Sequence, residues 1–90
     1  MKSEQLFSVA IDNRVSVEYY ITVDEVAEYE KYGVCIMKNE LSNIGEFASA
    51  NHVFPNREEA VDFIAKLANG KAMPITLADI IDDYIVGNNL

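Results

Sequence analysis

The chain has 90 residues, of which 50% are apolar, and its 15 acidic residues against 7 basic ones give a formal net charge of −8. This length fits one domain, so we predict a single α+β domain over residues 1–90. Nucleic acids and anionic membranes are bound mainly by clustered lysine and arginine, and here the basic residues are few and dispersed. The composition therefore argues against nucleic acid and membrane partners and favours protein partners.

Cysteine usage and hydropathy indicate where the protein works. Cys35 is the only cysteine, so no internal disulfide can form, and a free thiol is typical of the reducing cytosol. The apolar stretch from Leu6 to Ile11 is short, is interrupted by Ser8 and follows the acidic Glu4, unlike a secretory signal. No run approaches the roughly 20 apolar residues of a membrane span. We expect a soluble cytoplasmic protein.

The first half of the chain has the period of β-strands. Apolar and polar residues alternate from Val15 to Val23, which is typical of a half-buried strand. A weaker alternation precedes it over Leu6–Ile11, and Asp12-Asn13-Arg14 between them suits a tight turn. We therefore predict a β-hairpin.

Two more strands follow, over Tyr32–Lys38 and Gly45–Val53. The acidic segment Asp24–Lys31 before them is interpreted as a solvated connection or an extended strand tip, and Asn39–Asn43 as a loop. Because all the connections are short, an antiparallel meander of about four strands is the simplest arrangement.

After Pro55 the period becomes helical. Asn56 and Glu59 stand where a cap residue and its reciprocal partner are expected, and Gly70 is predicted to end the helix in the left-handed conformation. The apolar stripe of this helix consists of Ala60, Val61, Ile64, Leu67 and Ala68.

A second helix is predicted from Leu77 to Val86, with Thr76 and Asp79 repeating the cap arrangement and Gly87 ending it. Its apolar face consists of Leu77, Ile80, Ile81, Tyr84 and Ile85. The predicted fold class is thus α+β, with two C-terminal helices packed on one face of the sheet. Which face they cover stays open.

The C-terminal third also resembles a known pattern. Pro55–Ala60 and Met73–Tyr84, the latter with the form Pro-x-x-Leu-x-Asp-x-x-x-Asp-Tyr, are similar to the C-terminal signature of a family of small uncharacterised bacterial proteins. Glu18–Ile21 and Tyr32–Val34 are similar to that family's strand motifs. The resemblance implies no catalytic residue and no established activity.

No metal or cofactor site is predicted. One histidine and one cysteine leave only carboxylates as ligands, which makes a zinc site improbable. Asp79, Asp82 and Asp83 could offer oxygen ligands to calcium or magnesium, but a helix lacks the looped geometry of such a site. A solvated helix face explains these acids better.

No catalytic residue is predicted either. Cys35 and His52 fall on neighbouring strands and could form a nucleophile and base, but nothing supplies an oxyanion site. The four glycines are isolated and each is assigned a turn or stop role, so no phosphate loop exists. Tyrosines such as Tyr19 and Tyr20 are expected in core or cross-strand packing.

The remaining candidate is the sheet surface that the helices leave uncovered. Tyr20, Cys35 and Met37 make it more apolar than solvent requires. Our leading hypothesis is a non-catalytic module that binds another protein or self-associates as a homo-oligomer such as a dimer. The alternatives are an enzyme or small-ligand binder with a pocket near Cys35 and His52, and an acidic decoy for a nucleic-acid-binding protein.

Overall fold

The computed structural model describes residues 2–26, 29–40 and 43–88. Within these residues the elements are β1 (Lys2–Ala10), β2 (Val15–Val26), β3 (Tyr29–Glu40), β4 (Asn43–Phe54), α1 (Arg57–Asn69), a 3-10 turn (Pro74–Thr76) and α2 (Leu77–Asn88). Each strand pairs antiparallel with the next, in the order β1-β2-β3-β4. The predicted α+β fold, a four-stranded meander followed by two C-terminal helices, is confirmed.

The first hairpin turn is built as its sequence predicts. One carboxylate oxygen of Asp12 accepts hydrogen bonds from the backbone N–H groups of Arg14 and Val15, at 2.7 and 3.0 Å. An aspartate that bonds to the backbone two and three residues ahead reverses the chain without an extended loop. The turn therefore sets β2 directly beside β1.

The other strands are longer than predicted. In the described part of Asp24–Lys31 the extended strand tip is the alternative observed, because β2 reaches Val26 and stays paired with β3 up to that residue. Residues 27–28 of this segment and residues 41–42 of the predicted loop lie outside the described residues. The loop predicted over Asn39–Asn43 is wrong at both ends, since β3 continues to Glu40 and β4 already begins at the last residue of that range. Short polar residues favour turns only where strand pairing does not hold them.

The helices cover one face of the sheet, which we call the covered face. Its core comprises Val17, Tyr19, Ile21, Val34, Ile36, Phe54, Ala60, Ile64, Leu67, Ala68, Leu77 and Ile81. The alternation predicted for β2 is confirmed, because Val17, Tyr19 and Ile21 are fully buried. The Tyr19 hydroxyl donates to the carbonyl of Ala72 at 2.9 Å and so joins the sheet to the segment between the helices. Burial raises the pKa of this hydroxyl.

Three aromatic rings close one end of the core. Phe54 lies 5.1 Å from Phe63 and 5.3 Å from Tyr84, centroid to centroid, and Phe63 lies 5.0 Å from Tyr84. All three pairs are tilted or edge-on, the arrangement that aromatic quadrupoles prefer. Phe63 is absent from the predicted stripe of α1, yet it joins both helices to β4.

The start of α1 is as predicted and its end is not. The Asn56 side-chain oxygen accepts from the Glu59 N–H at 2.9 Å, which confirms the cap. Gly70, however, has φ −88°, and the left-handed conformation falls on Lys71 with φ 53°. The N–H of Lys71 bonds to Ala68 and the next N–H bonds back to Leu67, which is the pairing of a Schellman motif with Lys71 at its left-handed position.

α2 begins at Leu77 as predicted, but the roles predicted for the residues at its two ends are wrong. Thr76 lies inside the 3-10 turn that begins at Pro74, and its hydroxyl donates to the Met73 carbonyl at 2.8 Å. Thr76 therefore precedes α2 within a helical turn and not as an extended cap. Gly87 does not end α2, which continues to Asn88, because a single glycine lowers helix propensity without breaking the hydrogen-bond pattern.

Candidate functional site

The sheet face opposite the helices, which we call the open face, brings the predicted interaction residues together. Tyr20 and Cys35 are direct cross-strand partners on β2 and β3, and Met37 follows two residues along β3 on the same side. All three side chains are half-buried although no helix covers them. The open face further includes Ser3, Glu18, Thr22, Phe47, Ser49 and Asn51.

A shallow groove of about 460 Å³ runs across the open face. Its described lining consists of Ser3, Tyr20, Thr22, Cys35, Met37, Ser49 and Asn51. These side chains are apolar, or carry hydroxyl, amide or thiol groups, and no charged side chain stands among them. In a chain with 15 acidic and 7 basic residues, this is a surface from which charge is depleted, as in the cores of protein interfaces.

Glu18 lies beside the groove, and both of its carboxylate oxygens accept hydrogen bonds from neighbouring side chains. One carboxylate oxygen accepts a hydrogen bond from the Tyr20 hydroxyl, and the other accepts one from the Asn39 side-chain amide at 2.9 Å. The hydrogen bond to Glu18, together with burial and the nearby carboxylate charge, raises the pKa of Tyr20 to about 12. Tyr20 is therefore a neutral donor at physiological pH, and its ring is held in one position on the open face.

Phe47 is an open-face residue that the sequence analysis did not identify. It lies directly opposite Met37 on β4 and is 69% exposed. The period-two pattern of β4 contains the signal, since Phe47 is followed at two-residue steps by the groove residues Ser49 and Asn51. The pattern is weak in the sequence because the residues between them, Ala48 and Ala50, have little preference for strands.

Gly33 lies within β3, opposite the groove residue Thr22. It therefore has neither of the roles predicted for the glycines, at a turn or at a helix end. A Cβ atom at this position would lie 2.3 Å from the Ala50 carbonyl oxygen and 2.6 Å from the Thr22 hydroxyl. The pairing of β3 with β4 shifts register here, between Tyr32 and Val34. Only glycine permits so close an approach of the two strands, and its cross-strand partner Thr22 is buried on an otherwise open surface.

Cys35 and His52 lie on neighbouring strands, as predicted, but they have different partners. Cys35 faces Ser49 across the β3–β4 pair. His52 has a φ of 60° within the bulged part of β4, and its Nε2 lies 2.6 Å from a carboxylate oxygen of Asp24. Burial raises the pKa of the Cys35 thiol, which opposes the thiolate form that a nucleophile needs.

The acids that suggested a cation site are spread along α2. Asp79, Asp82 and Asp83 are all exposed. No group of three histidine, cysteine or acidic side chains able to hold a metal ion is found in residues 2–26, 29–40 and 43–88. Over the same residues, neither helix has the length and apolar character needed to cross a membrane.

Comparison with known protein families gives a match over nearly the whole chain. The sequence profile of a family of unknown function (DUF6514) matches residues 3–87, which is nearly the whole chain. The resemblance to an uncharacterised family is confirmed to that extent. No curated protein and no solved structure matches the chain.

Proposed function

The chain belongs to the DUF6514 family, and we propose that it works as a small protein-interaction module without catalytic activity. The open face is the surface that binds the protein partner, with Tyr20, Cys35 and Met37 at its centre and Phe47 beside them. The proposed setting is the cytoplasm of a bacterium, which agrees with the single free thiol and with the family resemblance.

A single observation carries this proposal: an exposed phenylalanine lies directly opposite Met37, one of the residues that line an uncharged groove. Met37 and Phe47 face each other across β3 and β4, and water reaches most of the Phe47 side chain. Exposed aromatic and methionine side chains with few charges around them are typical of interface cores. Covering them would remove apolar area from water, which is the main driving force for association.

An enzyme or ligand binder near Cys35 and His52 has less support, because these residues contact different side chains. The decoy hypothesis rests on net charge alone. Neither alternative explains why a charged chain keeps charge out of the groove that runs across its open face.

Site-specific photo-crosslinking in living cells tests the proposal. A photoreactive phenylalanine analogue replaces Phe47 in one variant and Ile75 in another, since both side chains are well exposed, at 69% and 83%. Ile75 lies in the 3-10 turn, away from the open face. We expect position 47 to form a covalent adduct with a protein on illumination and position 75 to form none.

The matched positions make the outcome decisive. If position 47 forms no adduct in the native cell, or if both positions form the same adducts in equal yield, the open face is not the binding surface. Circular dichroism of the two purified variants checks that each keeps its fold.

A further inference from the structure

We propose that the partner bound by the open face is a second copy of this chain. The two open faces pack against each other around a two-fold axis, which makes a four-layer dimer of helices, sheet, sheet and helices. This inference rests on the proposed function, because it names the partner of the same surface.

Charge favours a second copy at this surface. Two molecules with a net charge of −8 each repel one another over most of their surfaces. The described lining of the groove carries no charge, and both oxygens of Glu18 are already bound by Tyr20 and Asn39. The groove on the open face is thus a place where two copies meet without setting charged side chains directly against each other.

The polar groups of the groove are self-complementary. The hydroxyls of Ser3 and Ser49 and the amide of Asn51, which all belong to exposed residues, each both donate and accept hydrogen bonds. In a two-fold interface the same patch meets itself, so groups with both roles can be satisfied by their own copies. A surface built for a strongly basic partner would instead present carboxylates.

The area of the open face matches what a stable dimer needs. Strands of up to 12 residues span about 40 Å at about 3.3 Å per residue, and four strands span about 19 Å. The product, about 760 Å², is close to the roughly 800 Å² that each partner contributes to a standard interface. Two sheets stacked in this way lie about 10 Å apart and form a sandwich core.

Pairing of sheet edges is a poorer route to a dimer. On the edge strand β1, Lys2 and Glu4 are exposed, and a register shift separates Gln5 from Phe7. Charged side chains and bulges are the devices that protect edges from pairing with another chain. The other edge strand, β4, has register shifts at both ends of its pairing with β3.

Light scattering on the purified full chain tests the inference. We expect a mass of twice the 10.1 kDa of one chain, and a Ser49→Arg variant that returns to the mass of one chain. Ser49 is exposed and lies opposite Cys35, so the variant keeps its fold but places a bulky, positively charged side chain from each copy in the groove between the two sheets, where burial of charge is costly. The control Ile75→Arg adds the same charge to an exposed site elsewhere and is expected to remain a dimer.

The failures of the two proposals are distinguishable. A wild-type chain that stays monomeric, while position 47 still crosslinks to a different protein in cells, overturns the dimer and leaves the interaction module standing. A dimer that Ser49→Arg does not weaken overturns the face-to-face arrangement in favour of an edge or helix interface. A monomeric chain without any adduct at position 47 overturns both.

Discussion

The two faces of the sheet are made by the same strands and differ in every other respect. Tyr19 and Tyr20 are adjacent in sequence, yet the first is fully buried and bonds to a backbone carbonyl, whereas the second bonds to a carboxylate on the open face. Because successive side chains point to opposite sides of a strand, one residue separates the core from the surface. The comparison shows that each strand of this protein encodes a core and a candidate interface at once.

Matched phenylalanines give the largest expected contrast between the faces. Phe54 is buried on the covered face and contacts Phe63 and Tyr84. Phe54→Ala leaves a cavity among those rings, and we expect it to lower the free energy of unfolding by about 3 to 5 kcal/mol. Phe47→Ala on the open face is expected to change it by less than about 0.5 kcal/mol when the chain is monomeric.

Urea unfolding followed by circular dichroism measures both values. Dilution to concentrations at which the protein is monomeric removes the contribution of any dimer to the measured stability. Equal losses in the two variants would show that the open face is as well packed as the covered face.

Two glycines provide the next contrast, because their replacement by alanine is expected to change the free energy of unfolding in opposite directions. A Cβ at Gly33 meets the Ala50 carbonyl oxygen and other backbone of β4, so Gly33→Ala forces the strands apart, and we expect a loss of about 1 to 3 kcal/mol. Nothing lies within 4 Å of a Cβ at Gly87. Gly87→Ala is therefore expected to stabilise the chain by up to about 1 kcal/mol through helix propensity.

Thermal unfolding of the two alanine variants is a direct measurement of this difference. A Gly33→Ala variant with unchanged stability would mean that the sheet does not need the close approach of β3 and β4 at this position.

The adjacent residues Tyr19 and Tyr20 give a contrast between the two faces with smaller expected changes in stability. Tyr19→Phe removes the donor to the Ala72 carbonyl, and we expect a loss of about 1 kcal/mol, the usual net value of one hydrogen bond. Tyr20→Phe removes the donor to Glu18, a carboxylate that water can still reach, so the expected loss is smaller.

The midpoints of denaturant unfolding of Tyr19→Phe and Tyr20→Phe measure this difference, provided that both variants keep the same dependence of unfolding free energy on denaturant concentration. If Tyr20→Phe proves the more costly change, then the hydrogen bonds of the open face contribute more to stability than that of the covered face.

The smallest effect on stability is expected from Glu18→Gln, which changes the pKa of Tyr20. The carboxylate is the main cause of the rise to about 12, so the variant brings the pKa of Tyr20 back towards its ordinary value of 10. Since the folded-state pKa is raised, the bond contributes fully below about pH 10 and is lost as the pH rises through about 12. NMR titration of isotope-labelled tyrosine measures the shift.

Glu46→Gln serves as the control, because Glu46 is exposed on β4 and is not among the causes of the shift of Tyr20. An unchanged pKa of Tyr20 in Glu18→Gln would show that burial alone holds the hydroxyl neutral.

Much of the fold could be predicted because its signals are local. The alternation in β2, the Asp12 turn and the Asn56 cap depend on neighbouring residues, and all three are observed. The ends of the helices were less predictable. The Schellman hydrogen bonds at the end of α1 place the left-handed conformation on Lys71, one residue after the glycine that the sequence favours for it.

The candidate site was harder to predict because it depends on contacts between distant segments. Tyr20, Cys35 and Met37 were identified from alternation alone. The Phe47 pairing depends on the β3–β4 register, and the separate partners of Cys35 and His52 depend on the bulge beside Gly33. No pattern within a single strand contains that information.

The bond from Tyr19 to Ala72, 53 residues apart, also has a consequence for protein synthesis. The whole sheet precedes both helices in the chain, so the ribosome completes β4 before the segments that cover it. At about 5 to 20 residues per second, residues 55–90 take about 2 to 7 seconds to make, whereas hairpins form in microseconds. A sheet that forms during this interval has no helices to cover its apolar side, so the time between the synthesis of β4 and that of α2 is when we expect the chain to be most prone to aggregate.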